Sequence, residues 1–170
     1  MSNKTSSNLI FFNTEGRILN IEELLDEIKR YISRDARAFY EIVIGSDSHA
    51  SAVTSFITAV VVRKIGNGGI YFCTRSREEK VRTMRDRIWK ETMLSITLAE
   101  ELRSRIKDVL GEEIFWDRRI EFRHIHIDVG ENGPTRDLID GVKGMVKGFG
   151  FEPVIKPYSY GAFVVADLYT

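Results

Sequence analysis

The chain has 170 residues, about one domain, and its 43% hydrophobic and 29% charged residues exclude a disordered or collagen-like chain. Its 25 basic and 25 acidic residues cancel to a formal charge of +0, so no global field draws a polyanion and any nucleic-acid site must come from local clustering. One Cys excludes an intrachain disulfide and a Cys-rich zinc module, no run of 18 apolar residues offers a membrane span, and the polar start MSNKTSSN lacks the apolar stretch of a signal peptide, so a cytoplasmic protein is expected.

Residues 1–8 are expected to be a disordered tail and residues 9–170 a single domain. A short extended piece falls in 9–19. Asn20 can cap a helix, with Glu23 at capping-box distance and Leu24, Ile28 and Ile32 as its apolar stripe. Residues 40–47 and 56–65 are β-branched runs and predict strands. A Gly-Asn-Gly-Gly hairpin connection leads to a third strand, 70–75, where Cys73 is expected to be buried. Residues 78–109 predict one long helix. The alternating segment 119–129 predicts a fourth strand. Pro134 then suits a helix start, Leu138, Val142, Met145 and Phe149 form its stripe, and Gly150 ends it. Residues 151–156 predict a fifth strand, and a short helix follows to about Leu168. Three hairpin-linked strands followed by helical crossovers give an α/β fold. Its mixed five-stranded sheet has an antiparallel meander, then parallel strands, with helices on both faces and an extra helix in front.

Four carboxylates stand where patterning would place other residues. Asp47 closes an apolar strand, on one face with Val43 and Gly45. Asp128 ends the fourth strand, on the face expected for Ile120, Phe122, His124 and His126. Glu91 interrupts the apolar stripe Met84, Ile88, Leu94 and Leu98 of the long helix, where a lone carboxylate is costly unless paired or cation-bound. Asp167 lies one turn after Phe163 and Val164 near the chain's end. Each has a plainer reading: Asp47 and Asp128 as turn formers, Glu91 as the i+4 partner of Arg87, Asp167 as a frayed residue. Together they suggest Mg²⁺ or Mn²⁺ held by hard oxygen donors, with phosphodiester hydrolysis as the chemistry.

The order of three strands, helix, strand, helix, strand, helix, with Asp47, Glu91, Asp128 and Asp167 in that succession, resembles ribonuclease H. GSDSH (45–49), HIDVG (126–130), IKP (155–157) and AD (166–167) more narrowly resemble a bacterial ribonuclease H-like family, over roughly residues 10–170. The resemblance implies a divalent-metal-dependent nuclease in which the four carboxylates hold the metal and carry catalysis. No basic protrusion with aromatics follows the second crossover helix, so hybrid-duplex binding is not implied. The main alternative is a catalytically silent nucleic-acid-binding module on the same fold.

His49 and His126 are spaced by one residue from Asp47 and Asp128, so either could assist as ligand or proton carrier. That spacing also suggests a His/Asp dimetal phosphoesterase, but the further His motifs such enzymes need are missing. His124 reads as a core or surface histidine. Gly-Ser-Asp-Ser-His is not a nucleophile elbow. Residues 75–90 hold seven basic and three acidic residues, at the entry of the helix carrying Glu91. Arg75, Arg77, Arg82 and Arg85 are therefore candidates for contact with RNA or DNA phosphates, against the plainer reading of a solvated helix face.

Overall fold

The computed structural model describes residues 8–112 and 119–170, and the side chains of Phe163, Val164 and Asp167 lie outside that description. The expected tail also lies outside the described residues, apart from Asn8. Strands β1 (Phe11–Asn13) and β2 (Ile18–Leu19) lead to helix α1 (Ile21–Ser33). Asn20 caps α1 through the expected capping box, and Leu24, Ile28 and Ile32 are buried. Next come β3 (Tyr40–Ser48), β4 (Val53–Thr54), β5 (Phe56–Lys64), β6 (Gly69–Arg75) and β7 (Glu79–Lys80). The long helix α2 (Met84–Leu110), β8 (Ile120–His126), α3 (Ile139–Gly148) and β9 (Glu152–Val154) follow. The chain ends in a π-helical segment, Gly161–Ala166, and a 3-10 turn, Asp167–Tyr169.

Among the described residues, the main sheet has seven strands in the order β2-β1-β6-β5-β3-β8-β9. Its five inner and right-hand strands are the expected ones: β3, β5 and β6 antiparallel, β8 and β9 parallel. The two extra strands come from the extended piece at 9–19, which pairs with β6 and covers that edge. β3 lies between β5 and β8, which explains its apolar character on both faces: every residue from Ile42 to Ser48 is buried. One face carries α1, α2 and α3 over a large core. The other carries the terminal segment, where Val165 and Ala166 pack on Val43, Ile57, Ala59 and Cys73. Gly45 permits this contact, because a Cβ there would lie 2.6 Å from the Ala162 nitrogen. Among the described residues, no helix is long and apolar enough to cross a membrane.

Three expectations shift. The long helix begins at Met84 rather than 78: Thr83 caps it by accepting from the Asp86 N–H. Glu79 and Lys80 instead pair antiparallel with Val53 and Thr54, so tertiary pairing overrides their helical propensity. Helix α3 follows a 3-10 turn at Arg136–Leu138, and its buried face is Ile139, Val142 and Val146, while Phe149 is exposed. Strand β8 carries a bulge: Glu41 pairs with Glu121, but Val43 pairs with His124. The extra residue flips the alternation. Ile120, Phe122, Ile125 and Ile127 all enter the large core, and His124 and His126 leave the face expected for them.

Candidate metal centre and nucleic-acid face

The C-terminal end of β3 and the middle of α2 meet through a buried polar patch. Ser46 Oγ lies 2.8 Å from Thr58 Oγ1 and 2.7 Å from Ser95 Oγ, and Ser95 in turn donates to the Glu91 carbonyl. Glu91 is buried beside this patch. Its residue exposure is 3%. Ser48 Oγ donates to Glu91 Oε1 at 2.6 Å, and Arg87 Nε stands 4.0 Å from the same oxygen. Oε2 is buried with no hydrogen-bond partner among the described residues. Burial pushes the Glu91 pKa up to about 8. The Ser48 hydrogen bond and Arg87 oppose the rise, whereas the Asp47 and Asp128 charges add to it. Asp47, Glu91 and Asp128 are not, among the described residues, a group with donor atoms all within 4.8 Å of one another.

Asp47 is 8% exposed, on the sheet face opposite Ser48, and Thr170 Oγ1 donates to its Oδ2 at 3.5 Å. Asp128 follows β8, with Lys156 Nζ 2.7 Å from its Oδ1. Lys156 belongs to the IKP motif, and no periodicity in the sequence links the loop after β9 to the end of β8. The Asp167 side chain lies outside the described residues. Its turn is anchored by neighbours: Tyr169 OH lies 2.8 Å from Tyr71 OH, and Arg75 donates to the Tyr169 carbonyl at 2.7 Å.

The histidines divide. His49 is exposed at the end of β3, and its carbonyl accepts from the Thr54 hydroxyl. His126 is buried, and its Nδ1 accepts the Gly161 N–H at 3.0 Å. Burial lowers its pKa to about 3, so the ring is neutral and carries its proton on Nε2. It latches the terminal segment to the sheet. Among the described residues, the group of three acidic or His side chains with donor atoms all within 4.8 Å is Glu41, Glu121 and His124, towards the other end of the same strands.

The basic stretch also divides. Arg75 is committed to Ser55 and Tyr169. Arg77, Arg82 and Arg85 are exposed. Lys90 pairs with Glu79 at 3.3 Å. A cavity of about 480 Å³ opens beside the start of α2, lined by Ala50, Ser51, Arg82, Thr83 and Arg87 among others. It joins the loop after Asp47 to the residues one turn before Glu91.

A 3-2-1-4-5 order of inner strands, with acidic residues at the end of the first, after the fourth and on the first crossover helix, defines a ribonuclease H-like protein. The family model for ribonuclease H-like proteins matches residues 23–170, and the chain belongs to that family. It is also similar to the uncharacterized protein YkuK of Bacillus subtilis (strain 168), at 27% identity over 178 residues covering 97% of this chain and 99% of that protein. No solved structure matches the chain significantly.

Proposed function

We propose that this chain is a divalent-metal-dependent nuclease in which Asp47, Glu91, Asp128 and Asp167 hold Mg²⁺ or Mn²⁺. The observation that carries the reading is Glu91: a buried carboxylate with one oxygen unsatisfied among the described residues, its pKa pushed up by burial and, to a lesser extent, by the Asp47 and Asp128 charges. Ser48 and the 4.0 Å contact with Arg87 engage only Oε1, and a glutamine or an apolar residue would avoid the cost of burying the charge. The donor set is all hard oxygen, which suits Mg²⁺ and Mn²⁺. When bound, such ions supply Lewis-acid stabilisation of the phosphodiester and of the attacking water. Ser48 holds the Glu91 carboxylate in place, and Lys156 holds Asp128 and offers a cation close to a phosphate. Arg82 and Arg87, at the cavity beside α2, provide charge for the neighbouring backbone phosphate. The substrate is nucleic acid, and the compartment that fits a chain with one buried Cys is the cytoplasm.

A second reading is a binding module without catalysis. It is favoured by the 2.7 Å Lys156–Asp128 pair and the Thr170–Asp47 hydrogen bond, which give two of the carboxylates protein partners. The deciding experiment uses 5′-labelled single-stranded RNA and DNA with Mg²⁺ or Mn²⁺. The nuclease reading expects metal-dependent cleavage that Asp47→Asn reduces at least about hundredfold, within the range that loss of a key catalytic interaction produces, with binding retained. Binding without cleavage by the wild type under both metals would establish the second reading.

A further inference from the structure

Glu41 lies six positions before Asp47 on β3, roughly 20 Å away along the strand. It stands in register with Glu121 on β8, on the same sheet face. Like charges directly opposite on paired strands repel. Each is balanced on one side only. Arg63 lies 3.2 Å from Glu41 Oε2, the Tyr160 hydroxyl donates to that same oxygen at 3.0 Å, and Arg123 pairs with Glu121. The other Glu41 oxygen, Oε1, faces His124 Nδ1 at 3.4 Å. That nitrogen is buried and has no hydrogen-bond partner among the described residues. It reaches this face only because the β8 bulge turns it there. One donor atom from each of Glu41, Glu121 and His124 lies within 4.8 Å of the others.

We propose that Glu41, Glu121 and His124 form a Zn²⁺-class transition-metal site, separate from the Asp47 carboxylates. Two carboxylate oxygens and one imidazole nitrogen are a donor set that zinc accepts, whereas Mg²⁺ favours oxygen alone. Three protein donors leave a fourth tetrahedral position for water. Donors at zinc distances stand roughly 3.4 Å apart, so the set must contract by about 1 Å. Glu121, with its side chain 41% exposed, has the freedom to do so. Tyr160 and Arg63 orient Glu41 through its second oxygen, as outer-shell partners of metal-bound carboxylates do. Bound metal would staple β3 to β8 and, through Tyr160, hold the start of the terminal segment.

The test uses Co²⁺ as the spectroscopic probe on tag-free, full-length protein. With excess Mg²⁺ present to occupy the Asp47 carboxylates, the site predicts about one equivalent of Co²⁺ with visible d–d bands, displaced by Zn²⁺. Asp47→Asn should keep the bands, His124→Ala and Glu41→Gln should lose them, and Tyr160→Phe should weaken binding about tenfold. Absent bands in the wild type, bands unchanged in His124→Ala, or bands abolished by Asp47→Asn would each overturn the proposal. Should the variants fail to fold, Zn²⁺ added to the wild type must shift the His124 ring resonances by NMR, and an unperturbed ring refutes it.

Discussion

Replacing Glu91 by Gln isolates the physical basis of the candidate centre. The amide keeps the shape and can still accept from Ser48 Oγ, but it cannot ionise. In the metal-free wild type, the folded Glu91 pKa is about 8 against an ordinary value of 4.5. Between those values the native state holds a proton that the unfolded state has released. Stability linked to Glu91 is therefore fully present below pH 4.5 and is lost as pH rises through 8. Integrating one proton over pH 5 to 8.5 gives a loss of about 4 kcal/mol. Urea denaturation across that range, without divalent metal, should show wild-type stability falling relative to Glu91→Gln by an amount of this order. Added Mg²⁺ should flatten the wild-type curve, because the ion favours the charged carboxylate, and should leave the variant unmoved. Parallel stability curves for the two proteins would refute the claim that Glu91 is buried against its own charge.

Gly45→Ala should destabilise by about 1–3 kcal/mol in urea denaturation, because the added methyl meets the Ala162 backbone and must lift the terminal segment. Lys156→Met should lower metal-free stability by about 1 kcal/mol or less, since the lysine is 45% exposed. In a calorimetric titration it should tighten Mg²⁺ binding, because a competing cation beside Asp128 is gone. Arg82→Glu with Arg85→Glu should weaken single-stranded nucleic-acid binding and reduce its salt slope, read by fluorescence anisotropy at several salt concentrations. Arg75→Ala should instead lower the melting temperature with little change in salt slope, because Arg75 is tied to Tyr169.

The inner sheet was legible because its strands are β-branched runs bounded by turn residues, and α1 because Asn20 and Glu23 form a capping box over a regular apolar stripe. Glu91 stood out as a charge inside a helix stripe, and its burial follows from that position. What escaped was set by tertiary contact. Glu79 and Lys80 look helical, yet they pair with a two-residue strand about 25 residues earlier. The β8 bulge leaves no mark in an alternating pattern, so the spacing assigns His124 and His126 to the face opposite the one they occupy and gives no link between them and Glu41. Lys156 reaches Asp128, and Thr170 reaches Asp47, across distances in sequence that no local spacing encodes. Arg75 sat in a basic run but serves the terminal turn instead.

The proposed function requires Asp47, Glu91 and Asp128 to share a divalent cation. A crystal of this protein soaked in Mn²⁺ tests it most directly, through the anomalous difference map. A nuclease of this kind should show a peak bounded by those three carboxylates, with Glu91 Oε2 among the ligands. A map without a peak there at saturating Mn²⁺, with Asp128 still on Lys156 and Asp47 still on Thr170, would contradict it.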